Sequence, residues 1–164
     1  MREIKVIQVV GYRNSGKTTT VIKMLEYFQE HGIKAASLKH HGHGGVPLGF
    51  EDKDNKLHQK AGAMVAGVEG DGVFQLVKSV PWELNELVDI YKIWDIDLLI
   101  IEGFKQAGFE KIVMIKDEKD FDLLQELTNI VAVVTEIPLE NIELTYPVFR
   151  QNEISSLARW VIND

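Results

Sequence analysis

The stretch VVGYRNSGKTTT, residues 9–20, constrains this chain more than any other. Within it Gly11, Gly16, Lys17 and Thr18 fit the spacing G-x-x-x-x-G-K-[ST] without a mismatch. The physical content of that spacing is anion binding. Two glycines permit backbone conformations that a Cβ forbids, so successive N–H groups can converge on one point. A helix beginning near Lys17 aims its N-terminal dipole at the same point. Lys17 would reach the β- and γ-phosphates of a nucleotide, and the Thr18 hydroxyl would ligate Mg²⁺. Arg13, Asn14, Ser15 and Thr19 complete the expected phosphate cradle. The flanks agree. IKVIQVV (4–10) is an apolar, β-branched run, and Val21, Met24, Leu25 and Phe28 fall at helical spacing before a glycine stop in EHG (30–32). IKAASLK (33–39) reads as the next strand, so the chain opens as a parallel βαβ unit.

The remainder continues the alternation, with one interruption. HHGHGGVPLGFEDKDN (40–55) carries four glycines and a proline and reads as a long loop. KLHQKAGA reads as a short helix, and MVAGVEGDGVFQLVKS (64–79) as two β arms around Gly70-Asp71-Gly72, the chemistry of a tight hairpin. Leu84, Leu87, Val88 and Tyr91 mark an amphipathic helix. DLLIIEG (97–103), KIVMIK and NIVAVVTE read as strands, with a helix in KDFDLLQEL between the last two. Ile154, Leu157, Ala158, Val161 and Ile162 predict a closing helix. The expected architecture is one nucleotide-binding α/β domain over residues 1–164. It is a P-loop NTPase-like three-layer α/β/α fold with a mostly parallel sheet, and a loop and β-hairpin are inserted at about 40–80.

Composition excludes several classes. The net charge of −7 argues against nucleic acid as a partner. Charge is uneven, however: residues 1–60 hold ten Lys/Arg against six Asp/Glu and all five histidines, so positive charge gathers around the phosphate motif. No apolar run approaches the roughly 20 residues that span a bilayer, and the N-terminal MREIKVIQVV lacks a cleavage-site pattern. With no cysteine there are no disulfides or thiolate metal sites, which fits a reducing cytoplasm.

Three further places carry candidate chemistry. Glu102 ends an all-apolar strand, where ligands of open α/β sheets lie and where a phosphate site needs an acid for Mg²⁺ or the attacking water. Lys39 and His40 would sit where the second strand opens over the phosphates, and Asp54 could add a ligand to the Mg²⁺ shell. His40, His41 and His43 could instead hold a transition metal, contact an anionic substrate or simply be solvated. Thr135 and Glu136, at a late strand end, are candidates for contact with the base. The N-K-x-D signature for guanine is absent, so these residues do not choose between GTP and ATP.

GYRNSGKTT, KHHGHG, KAGA and DLLIIEGFK, in this order, resemble the MobB family, molybdopterin-guanine dinucleotide biosynthesis protein B, over roughly residues 3–135. The resemblance implies a P-loop protein that binds GTP and Mg²⁺. It would assist the MobA guanylyltransferase, which attaches GMP to molybdopterin. It also implies phosphate and Mg²⁺ roles for Gly16, Lys17 and Thr18, the second motif at Glu102, and a family acid at Asp54. The chain departs at that last segment, reading F-E-D-K-D-N where the family tends to D-x-P-G-K-D-S. The implied partners are a second copy of the chain, a MobA-type enzyme, molybdopterin, and a molybdoenzyme or its chaperone. The apolar arms of the hairpin, with no lysine or proline over 64–70, expect pairing with a second copy. Arg13 is the one near candidate for a charge-stabilising arginine, so GTP hydrolysis is expected to be slow. The wider resemblance is to dethiobiotin synthetase and nickel-inserting GTPases. It keeps open an ATP-dependent synthetase or kinase, a metal-delivery GTPase using the histidine loop, and a purely binding adaptor.

Overall fold

The computed structural model describes residues 3–42, 45, 53–139 and 144–163, and within 53–55 the backbone only. Lys5–Val10 forms strand β1, and Gly16 lets the chain turn directly into helix α1, Lys17–Glu30. Helix α1 ends in paired turns of the Schellman type: the Ile33 amide donates to Phe28 O at 2.9 Å and the Gly32 amide to Gln29 O at 3.2 Å. Strand β2, Ala35–Lys39, follows. Beyond it come helix α2, Lys53–Lys60, and strands β3, Val65–Gly70, and β4, Val73–Lys78. Helix α3, Leu84–Tyr91, opens with a capping box between Glu83 and Glu86. Strands β5, Leu98–Glu102, and β6, Glu110–Ile115, lead to a 3₁₀ turn at Glu118–Phe121 and the short helix α4, Asp122–Glu126. Strand β7, Ile130–Thr135, the two-residue strand β8, Val148–Phe149, a 3₁₀ turn at Gln151–Glu153 and helix α5, Ile154–Asn163, complete the order.

Six strands form one parallel sheet in the order β2-β5-β1-β6-β7-β8. Every strand of a parallel sheet ends on the same edge, so the carboxyl ends of β1, β5 and β2 come together beside the start of α1. Alternation along the strands divides the core. Ile7, Val9, Ile100, Ile112, Met114 and Val134 face α1 and α5, where Met24, Phe28, Leu157 and Val161 are fully buried against them. On the other face Leu99 and Ile101 meet Val88 of α3, while Val10, Val113, Ile115 and Val133 meet Leu123 and Leu127 around α4. Strands buried on both faces read as continuous apolar runs, which is why DLLIIE carries no alternation. The expected three-layer α/β/α fold with a mostly parallel sheet is therefore what the chain adopts.

Strands β3 and β4 form a separate antiparallel ribbon. Asp71 and Gly72 both have positive φ, 48° and 77°, the turn whose twist matches a two-residue hairpin and which an Asp-Gly pair adopts at low cost. The ribbon is tied at its base, where Lys78 pairs with Glu86 of α3 at 2.6 Å and lies over the Trp82 ring. One side of it stays outside, where Phe74 is 63% exposed and the preceding Met64 82%, while Ala66 is buried. Two elements depart from the expectation. The KDFDLLQEL helix is shorter and begins as a 3₁₀ turn, because Asp117 and Asp120 cap one another across its first turn. Strand β8 was not foreseen, since two residues are too short to carry a period.

Candidate functional site: a phosphate loop closed by Glu102

Between β1 and α1 the chain forms an open cleft of about 1000 Å³, lined by residues 11–19, 39–42 and 102–107. Gly16 sits at the start of α1 with φ 91°, in the left-handed region that favours glycine, and no side chain caps the helix. A Cβ there would stand 2.5 Å from the Gln151 amide nitrogen, the far end of a flexible side chain that can move aside, so it is the backbone angle that calls for glycine. The first turn of α1 contains no acid. Its uncapped N–H groups and helix dipole are thus left for a ligand anion.

Lys17 folds back over the loop and donates to Tyr12 O, with the Ser15 hydroxyl oxygen 3.5 Å away. Partial burial pushes its ammonium below the usual lysine value; Glu102 opposes that shift and the neighbouring Lys105 and Lys39 add to it. The counter-charge of an arriving anion offsets both the desolvation and the crowding by like charge. The Thr18 hydroxyl donates to Glu102 Oε1 at 2.8 Å. Glu102 is only 8% exposed, at the end of the fully buried strand β5. A hydroxyl and a carboxylate in contact beside a phosphate loop are hard oxygen donors, the set that suits Mg²⁺ with phosphate and water filling the other positions. Lys39 Nζ touches both oxygens, at 3.1 and 3.2 Å, so this point already attracts positive charge.

The expected residues Gly11, Arg13, Asn14, Ser15, Gly16, Lys17, Thr18, Thr19, Lys39, His40 and Glu102 all line this one cleft. Thr135 does not: it is buried at the end of β7, and its hydroxyl is engaged with the backbone of Ile137. Asp54 lies in the first turn of α2, and its side chain and the whole of His43 fall outside the described residues. Among the described residues no three His, Cys, Asp or Glu side chains stand together as a metal cluster. Sequence reasoning missed Phe104, Lys105 and Gln106, which the cleft shares. It also missed Gln8, a fully buried β1 side chain whose amide donates to Gly103 O at 2.9 Å and Phe104 O at 2.8 Å. Those two bonds hold the turn after Glu102, where Phe104 has φ 53° and its ring lies against that of His40. A glutamine in an otherwise apolar strand was the available signal.

The family profile described as molybdopterin guanine dinucleotide synthesis protein B, MobB, matches residues 6–136. The chain belongs to the MobB family. A relative from Bacillus subtilis (strain 168), described as a probable molybdopterin-guanine dinucleotide biosynthesis adapter protein, is 43% identical over 135 residues, covering 82% of this chain and 78% of its own. The crystal structure of Bacillus subtilis MobB superposes with a TM-score of 0.76 at 36% identity, covering 98% of this chain and 97% of that one. A MobB homologue from Bacillus stearothermophilus gives 0.73 at 34% identity, covering 96% and 95%. The MobB match spans β1 to the end of β7, and so contains both Lys17 and Glu102.

Proposed function

We propose that this chain is a GTP-binding adapter of molybdenum cofactor synthesis, and that it assists a MobA-type guanylyltransferase in attaching GMP to molybdopterin. The observation that carries the reading is the 2.8 Å contact between Thr18 and Glu102 at the mouth of an uncapped phosphate loop. In this reading the amides of residues 14–18 and the Lys17 ammonium hold the β- and γ-phosphates. Thr18 and Glu102 hold Mg²⁺, which when bound supplies positive charge over those phosphates. Guanine preference rests on family membership. Slow hydrolysis is supported by the cleft lining, in which Arg13 is the single arginine among the described residues. The whole of residues 1–164 acts as one nucleotide-binding unit, and the β3–β4 ribbon pairs with a second copy through its exposed Phe74 and Met64.

The test is a competition of GTP, ATP and molybdopterin for the purified protein. GTP is expected to bind more tightly than ATP, and molybdopterin to bind without displacing it. Preference for ATP with turnover of a small carboxylic or amine substrate would instead support the synthetase reading.

A further inference from the structure

Sheet register puts Lys39 beside Glu102. The two are Cα partners in the β2–β5 pair, and the His40 amide that follows donates to Glu102 O at 2.9 Å. From that fixed position the Lys39 ammonium reaches both oxygens that the proposed Mg²⁺ site would use. Its Nζ is 3.2 Å from Glu102 Oε1 and donates to Thr18 Oγ1 at 3.1 Å. Two cations on one carboxylate oxygen repel, so an ammonium and a divalent ion cannot share this point.

We propose that Lys39 is a built-in stand-in for the divalent cation, displaced when metal arrives with nucleotide. The inference rests on the nucleotide reading above. Its physical basis is the difference in burial between the partners. The Glu102 side chain is 10% exposed, and a carboxylate taken that far out of water needs a counter-charge. The Lys39 side chain is 61% exposed on a flexible four-carbon stem, so it can leave without opening the core. Lys17 shares the field of Glu102, but its ammonium is turned toward Tyr12 O and Ser15, so the direct contact falls to Lys39. The arrangement keeps Thr18 and Glu102 aligned before metal binds. It also makes free Mg²⁺ a poor ligand, since the ion must displace an ammonium already in place. Nucleotide phosphates change that balance by offering Lys39 a new partner.

Mn²⁺ serves as the probe, with protein saturated in GDP and free Mn²⁺ counted by electron paramagnetic resonance. GDP removes the γ-phosphate as a new partner for Lys39. Displacing an ion pair whose lysine end is open to solvent predicts about two- to fivefold tighter Mn²⁺ binding in Lys39→Met than in the parent. Lys39→Gln is expected to behave alike, and its circular dichroism reports whether the fold is kept. Glu102→Gln is expected to bind Mn²⁺ more weakly than the parent. Equal or weaker Mn²⁺ binding in both Lys39 variants overturns the stand-in role. A parent that binds neither GDP nor GTP overturns the nucleotide reading itself, and is recognised before any Mn²⁺ titration is begun.

Discussion

At the scale of single residues, Glu102 and Lys111 are two buried charges, the first in the proposed phosphate site and the second held by backbone carbonyls. In the proposed mechanism Glu102 acts on Mg²⁺ or the attacking water more than on nucleotide affinity. Glu102→Gln keeps the shape and removes the charge, so GTP hydrolysis is expected to fall further than GTP affinity. Parent-rate hydrolysis in that variant would make Glu102 a structural strand end. Lys111 is fully buried at the start of β6, where its ammonium donates to Phe109 O at 2.9 Å and to Ala107 O. Burial lowers its pKa. The unfolded chain therefore binds this proton over a range in which the folded chain has released it. Stability should rise with pH through the window from that lowered value up to about 10.4, the ordinary lysine pKa. The urea midpoint of the parent should accordingly gain more between pH 7 and pH 10 than that of Lys111→Met; parallel slopes would show that the buried ammonium does not set this dependence.

At the scale of elements, what the sequence made legible follows physical strength of signal. The phosphate loop was legible because its spacing, its preceding β-branched run and its following helical period all agree. The strand 98–102 was legible because burial on both faces demands an unbroken apolar run. The hairpin was legible from two β-like arms around Gly70-Asp71-Gly72. Strand β8 was not, because its pairing with β7 is a tertiary event that two residues cannot announce. Gln8 stands out as a glutamine in an apolar strand, but its role was not legible for a related reason: its partners are backbone carbonyls 95 and 96 residues away. The ribbon also carries a prediction of its own. In the proposed dimer the exposed Phe74 of the ribbon touches the second copy, so Phe74→Asp should weaken self-association while leaving the buried sheet intact. Sedimentation at micromolar concentration should give about twice the 18.6 kDa chain mass for the parent and a lower mass for the variant. A parent near 18.6 kDa would contradict the proposed dimer.

At the scale of the whole molecule, the sheet acts as an alignment device. Because six strands run parallel, the phosphate loop after β1, the acid at the end of β5 and the lysine at the end of β2 meet on one edge without any long-range instruction in the sequence. The central proposal is that this edge binds GTP through the loop lysine. Charge-assisted hydrogen bonds are worth about 1.5–3 kcal/mol each, so Lys17→Ala should lower GTP affinity by roughly tenfold or more. The most direct measurement is calorimetric titration of GTP with Mg²⁺ into the parent and into Lys17→Ala, with circular dichroism confirming that both are folded. Binding by the parent and at least a tenfold loss in the variant are expected. Equal affinity in the two folded proteins, or no binding by the parent, would contradict a phosphate site built on Lys17.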